Sequence, residues 1–187
     1  DTDSNSPVAV DTPFQIASMT KALATVAAMQ QVEAGRLALD APIGDVLPEL
    51  ADAQVLTGFD ADGKPQTRPA ARPITLRHLL THTAGFATGG DDIRVASALL
   101  QAEAPEDATD LAGYAQHVAR APLATEPGTR FRYDGVNTEV LARVVEVASG
   151  QPFDAFLRTR ILQPLGMRET RFNSDALQPG DNVATGY

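Results

Sequence analysis

Apolar and polar positions divide the chain unevenly. Residues 1–12 are polar and turn-rich apart from Val8-Ala9-Val10, which reads as a short strand. At Phe14-Gln15-Ile16-Ala17 the character changes. Ser18 follows, then Lys21, then Ala22-Leu23-Ala24-Thr25-Val26-Ala27-Ala28-Met29. A helix apolar on nearly every side is one buried on most faces, and this pattern predicts a helix over about 18–34. Gly35 closes it, because glycine tolerates the left-handed conformation that ends helices. Asp40-Ala41-Pro42-Ile43 has the order of a cap followed by a first-turn proline and predicts a short helix towards Leu47.

Two β-type runs come next. Val55-Leu56-Thr57-Gly58-Phe59 and Pro65-Gln66-Thr67-Arg68 flank Asp60-Ala61-Asp62-Gly63, so a hairpin is expected over about 54–69. Beyond it the pattern is helical. Thr75 caps a helix with Leu76, Leu79 and Leu80 on one face. Further helices are expected over about 91–102, 110–121, 138–148 and 153–162, punctuated at the end by Gly150, Pro152 and Pro164. The longest weakly patterned piece is 102–108. The chain is therefore mainly helical with one small hairpin.

Composition narrows the partners more than the fold. At 187 residues there is ample length for a core. The formal net charge of −9 argues against a nucleic-acid backbone or an anionic membrane as partner. No apolar run approaches the length of about 18 residues that a membrane span needs. The absence of cysteine excludes disulfides and thiolate metal sites but assigns no compartment.

Candidate chemistry gathers at three places. Residues three apart share a helix face, so Ser18 and Lys21 point into the same space. A lysine so placed can take the proton of a serine hydroxyl and turn a weak nucleophile into a strong one. A serine that only caps the helix, with a solvated lysine, is the plainer alternative. His78 and His82 have the four-residue spacing of a zinc pair, but Leu79 stands where a zinc protease needs its glutamate, which favours a structural role. Likewise Asp60-Ala61-Asp62-Gly63 lacks the later ligands of a calcium loop and reads as a turn. His117 has no companion. Tyr133 lies on a loop after Pro127-Gly128; taken alone, it reads as a packing residue with a wet hydroxyl.

The Ser-x-x-Lys spacing is also that of the nucleophile in β-lactamases and penicillin-binding proteins. The longer stretch "FQIASMTKALATVAAMQQVEAGRLALDAPIGDVLPEL" resembles the family of serine β-lactamases, DD-peptidases and β-lactamase-like esterases. It is nearest in character to the class C-like (family VIII) carboxylesterases. Thr81-His82-Thr83-Ala84-Gly85-Phe86 is similar to that family's "HTSG" segment, which implies that His82 and Thr83 tie down one wall of the pocket. "EPGTRFRYDGVNTEVLARVVEVASG" resembles its Tyr-x-Asn region, which implies that Tyr133 shuttles protons beside Ser18. There the chain departs from the pattern. Gly135 stands where β-lactamases keep an asparagine, and Asn137 reaches the pocket only if the loop carries an extra residue. The departure favours esters over β-lactams. No counterpart of the family's Lys-Thr-Gly strand is found.

The resemblance implies an α+β, β-lactamase/transpeptidase-like fold. On this reading residues 1–187 are an internal fragment of one domain: a nucleophile helix at about 18–34, the hairpin, and a helical lobe at about 74–164. Most of the antiparallel sheet would lie outside the chain, and the fragment alone is expected to be inactive. The implied activity is that of a serine carboxylesterase working through an acyl-enzyme on small esters. Ser18, Lys21 and Tyr133 are its catalytic residues, with Asn137 and Gly135 at the substrate. No metal or organic cofactor is implied. A DD-peptidase or β-lactamase acting on amides, and a non-catalytic binding module of the same fold, are the alternatives.

Overall fold

The computed structural model describes residues 9–10, 12–88 and 94–172. The element order over these residues is mainly helical with one two-stranded antiparallel sheet. A 3₁₀ turn, Ala17–Met19, runs directly into α1, Thr20–Glu33. The hairpin is β1, Gln54–Phe59, with β2, Pro65–Pro69. Next come α2 (Leu76–Leu80), α3 (Arg94–Ala102), α4 (Leu111–Arg120), α5 (Val136–Ser149) and α6 (Phe153–Leu157), which continues as a π-type turn, Arg158–Leu162.

Helix α5 is the centre of the packing. It contacts α1, α2, α4 and α6, and Val140, Val144 and Val145 along it have no exposed surface. Burying a side chain of that size is worth about 1.5–3 kcal/mol, so an aspartate at Val144 would open this core. Gly150 ends α5 in the left-handed conformation at φ 70°. Across the break, the Glu146 carboxylate accepts the Phe153 N–H at 2.9 Å and pairs with Arg143 at 3.1 Å, fixing how α6 folds back.

Helix α1 is less enclosed than its composition predicts. Ala24, Ala27 and Ala28 are fully buried, and the small side chains permit close approach to α5. Val26 and Met29, however, are 46% and 40% exposed, and Met19 just ahead of the helix is 69% exposed. One apolar stripe of α1 thus faces outwards.

The hairpin forms in the expected place. Val55 pairs with Arg68 and Phe59 with Pro65, with a bulge between Leu56 and Gly58. The Asp60 carboxylate accepts the N–H groups of Asp62 and Lys64 at 3.0 and 2.8 Å, and Gly63 supplies the positive φ that the turn needs. Less expected is its docking. The Leu56 N–H donates to the Leu123 carbonyl at 2.9 Å and the Leu123 N–H to the Gln54 carbonyl at 2.7 Å, so residue 123 lies parallel to β1. Arg68 and the Ala71 N–H both bind the Glu126 carboxylate. The hairpin therefore anchors the start of the loop that carries Tyr133.

Smaller expectations resolve one by one. Thr75 caps α2 as the sequence suggests, and His78 completes the capping box. Ala9 and Val10 lie in a turn closed by Thr12, not in a strand, because the Thr12 hydroxyl takes the Ala9 N–H; Val8 lies outside the described residues. The element after Pro42 is a single 3₁₀ turn, Ile43–Asp45, and another, Pro105–Asp107, occupies the weakly patterned piece. Residues 91–93 at the start of the helix expected over 91–102 lie outside the described residues, as do 173–187. Among the described residues no helix is long and apolar enough to cross a membrane.

Candidate active site

Ser18 owes its placement to the turn before α1. Ala17 adopts a positive φ of 42°, a left-handed backbone that costs an L-residue about 1–2 kcal/mol. The Met19 N–H closes the turn onto the Ile16 carbonyl at 2.9 Å. No residue of the turn is buried, so Ser18 is presented to solvent at the helix head. Lys21 lies one turn further along and is half-buried.

Tyr133 arrives from the far side of the chain. Ser18 first and then Lys21 act on its phenol and hold its pKa below the ordinary tyrosine value. The Lys21 ammonium also lies 4.9 Å from the centre of the Tyr133 ring. The structure thus brings Ser18, Lys21 and Tyr133 together from segments that lie far apart in the sequence.

An acid cluster stands behind the tyrosine. Asp134 is 8% exposed and caps the first turn of α5, accepting the Asn137 N–H at 2.8 Å. Glu139 accepts the Tyr114 hydroxyl at 2.8 Å, and burial raises its carboxyl pKa. Tyr114 is raised in turn, first by burial and then by the Glu139 charge. Lys21 opposes the shift of Glu139, so its charge reaches this cluster as well as the tyrosine.

The remaining expected site residues separate here. Asn137 is 1% exposed, and its Nδ2 donates to both Asp134 oxygens at 2.8 and 2.9 Å. Its amide nitrogen is thus committed to Asp134 at the head of α5, while its Oδ1 is buried without a hydrogen-bond partner. Gly135 is exposed, and a Cβ there would meet the Glu139 carboxylate at 3.3 Å, which leaves little room for a side chain. His78 spends its Nδ1 on the Thr75 N–H at 3.2 Å and faces Gly128 with Nε2. Among the described residues no group of histidine and carboxylate side chains is arranged to hold a metal ion. His117 is half-buried against the Glu103 carbonyl.

Sequence reasoning missed Asp134 and Glu139. The Asp134-x-x-Asn137 spacing ahead of an apolar helix is a readable capping signal, since the Asp134 carboxylate binds the N–H three residues on. Glu126 had no such signal, because its partner Arg68 lies on another element.

A model of the Beta-lactamase family matches residues 1–187. The chain belongs to the beta-lactamase family. Lovastatin esterase of Penicillium rubens is 38% identical over 166 residues, covering 89% of this chain and 41% of that protein. Esterase EstB of Burkholderia gladioli is 34% identical over 180 residues, covering 93% of this chain and 42% of that protein. Unliganded simvastatin synthase (LovD) of Aspergillus terreus superimposes with a TM-score of 0.75 at 34% identity, over 94% of this chain and 43% of that one. The chain thus spans about two-fifths of the length of these family members, and it shares with them a mainly helical part of the fold.

Proposed function

We propose that this chain carries the nucleophile side of a serine hydrolase that acts on small esters through an acyl-enzyme. The observation that carries the reading is the meeting of Ser18 and Lys21 at the phenol of Tyr133. A phenol with a lowered pKa has a larger ionised fraction at neutral pH, ready to accept a proton.

In this reading Tyr133 takes the proton of Ser18 as the serine oxygen attacks the ester carbonyl. The ester's C–O bond then breaks, and the alcohol leaves with the proton handed on from Tyr133. Water attacks the acyl-enzyme by the same route in reverse, releasing the acid and restoring the serine. Lys21 keeps the phenol poised by holding positive charge against it. An alcohol in place of water would turn hydrolysis into acyl transfer, which is the activity that the related structure of EstCE1, a hydrolase with promiscuous acyltransferase activity, names.

Esters are favoured over β-lactams by the loop after Tyr133. Gly135 offers no amide, and the amide nitrogen of Asn137 is bonded to Asp134. The test is hydrolysis of p-nitrophenyl butyrate by the full-length protein and by Ser18→Ala. Serine-dependent turnover supports the proposal, whereas near-normal turnover in Ser18→Ala defeats it.

A further inference from the structure

His82 occupies a place where glycine is the cheapest residue. Helix α2 ends in a Schellman motif: the Thr83 N–H donates to the His78 carbonyl at 2.8 Å and the His82 N–H to the Leu79 carbonyl at 3.3 Å. That motif puts its C′ residue in the left-handed region, and His82 has φ 53°. A helix stop alone gives no reason to place an imidazole there, since glycine adopts this backbone without strain.

The imidazole has work on the opposite side of the site. Four contacts from His82 converge on the loop bearing Tyr133. Its carbonyl accepts the Arg132 N–H at 2.8 Å, on the residue before the tyrosine. Its Nδ1 accepts the Asp134 N–H at 3.4 Å, on the residue after. Between these, its ring lies against the Tyr133 ring, with centroids 4.9 Å apart, and Phe131 closes on its edge at 6.2 Å. The backbone on both sides of Tyr133 and one face of its ring are therefore held by a single residue. Tyr133 itself is 55% exposed, so few other contacts hold its ring in place.

We propose that His82 is a positioning residue for Tyr133, gripping the loop on both sides and backing the ring so that the phenol stays within reach of Ser18 and Lys21. The proposal rests on the acyl-enzyme reading. Accepting at Nδ1 requires a neutral ring with its proton on Nε2. Burial lowers the His82 pKa, and Lys21 adds to that while Asp134 opposes it, so the surroundings favour the neutral form.

The experiment separates this role from a helix stop by using His82→Gly in the full-length protein. Glycine keeps the left-handed turn and the carbonyl contact but removes the ring. A helix stop predicts that the variant melts at or above the wild-type temperature with unchanged kcat. The proposal predicts an unchanged or higher Tm and an unchanged KM for p-nitrophenyl butyrate. It also predicts kcat lowered about ten- to hundredfold, since displacements near 1 Å cost on that order. His82→Asn, which tolerates the same backbone and offers an acceptor oxygen but no ring, should recover part of the loss. It also keeps the test open if the glycine variant does not fold, because the proposal then predicts a several-fold lower kcat at unchanged KM. Wild-type kcat in either folded variant overturns the role of His82 while leaving the acyl-enzyme reading intact. A wild-type protein whose Ser18 neither labels with a fluorophosphonate nor supports hydrolysis overturns both.

Discussion

The two sides of the site are held in different ways. The Ser18 side is a three-residue turn with no buried residue and a left-handed alanine, and its firm root is the alanine face of α1. The Tyr133 side is tied at several points. Glu126 binds it to the hairpin, His82 grips both flanks of the tyrosine, and Asp134 caps the helix behind it. A nucleophile gains from exposure, because the substrate carbonyl must reach it. A proton carrier gains from constraint, because its reach to two partners has to be kept through each transfer. On the proposed reading, the contrast fits open access for the serine and fixed geometry for the tyrosine.

The largest effect should come from removing the Tyr133 hydroxyl, the proposed proton carrier, while leaving its ring. Tyr133→Phe retains the packing on His82 and loses only the hydroxyl, so kcat for p-nitrophenyl butyrate should fall by about two to four orders of magnitude with little change in Tm. Equal losses of stability and activity would show instead that the hydroxyl serves the fold. Next in size is the substrate ranking. With a glycine at 135 and the Asn137 amide nitrogen bonded to Asp134, kcat/KM for p-nitrophenyl butyrate should exceed that for nitrocefin by about tenfold or more, as expected when a hydrogen-bonding partner is missing from a site. The reverse ranking would move the proposal to β-lactam chemistry.

The acid cluster and the two histidines predict pH-dependent effects with opposing signs. Burial leads in lowering the pKa of both His78 and His82, so each stays neutral to lower pH when folded than when unfolded. Their contribution is complete above about pH 6.5 and is lost as pH falls through the folded values. Glu139 runs the other way. Its raised carboxyl contributes below about pH 4.3, and the contribution is lost as pH rises through its folded value. Glu139→Gln keeps an acceptor for Tyr114 and should therefore raise Tm at about pH 8 while leaving it nearly unchanged at about pH 4. A lower Tm at the higher pH would mean that the Glu139 charge is stabilising.

The smallest effect concerns the serine turn. Ala17→Gly relieves the left-handed backbone and should change stability by no more than about 1 kcal/mol, because the gain in the folded state is offset by a more flexible unfolded chain. If it instead lowers kcat while stability holds, the strain at Ala17 is part of how Ser18 is aimed.

Much of this arrangement was legible in the sequence because it is local. The Ser18–Lys21 spacing, the Asp60–Gly63 turn and the Thr75 cap depend on residues within a few positions of one another, and the helices follow their apolar period. The Asp134 cap was equally local, yet the expected helix began at Thr138, after the first turn that Asp134 and Asn137 build. What could not be read is carried by contacts between distant segments. Arg68 with Glu126, Leu56 with Leu123, and His82 with Asp134 are joined only once the chain has folded. Asn137 shows the same limit in reverse: a buried carboxylate three residues away claims its amide nitrogen, which its residue type alone does not tell.

The central claim is that Ser18 is the nucleophile and Tyr133 its proton carrier. It is tested most directly by treating the full-length protein with a fluorophosphonate and locating the adduct by peptide mass spectrometry. The account predicts one adduct on the Ser18 hydroxyl, none in Ser18→Ala, and markedly slower labelling in Tyr133→Phe. An adduct on another residue, or labelling of Ser18 at the wild-type rate without the Tyr133 hydroxyl, would contradict it.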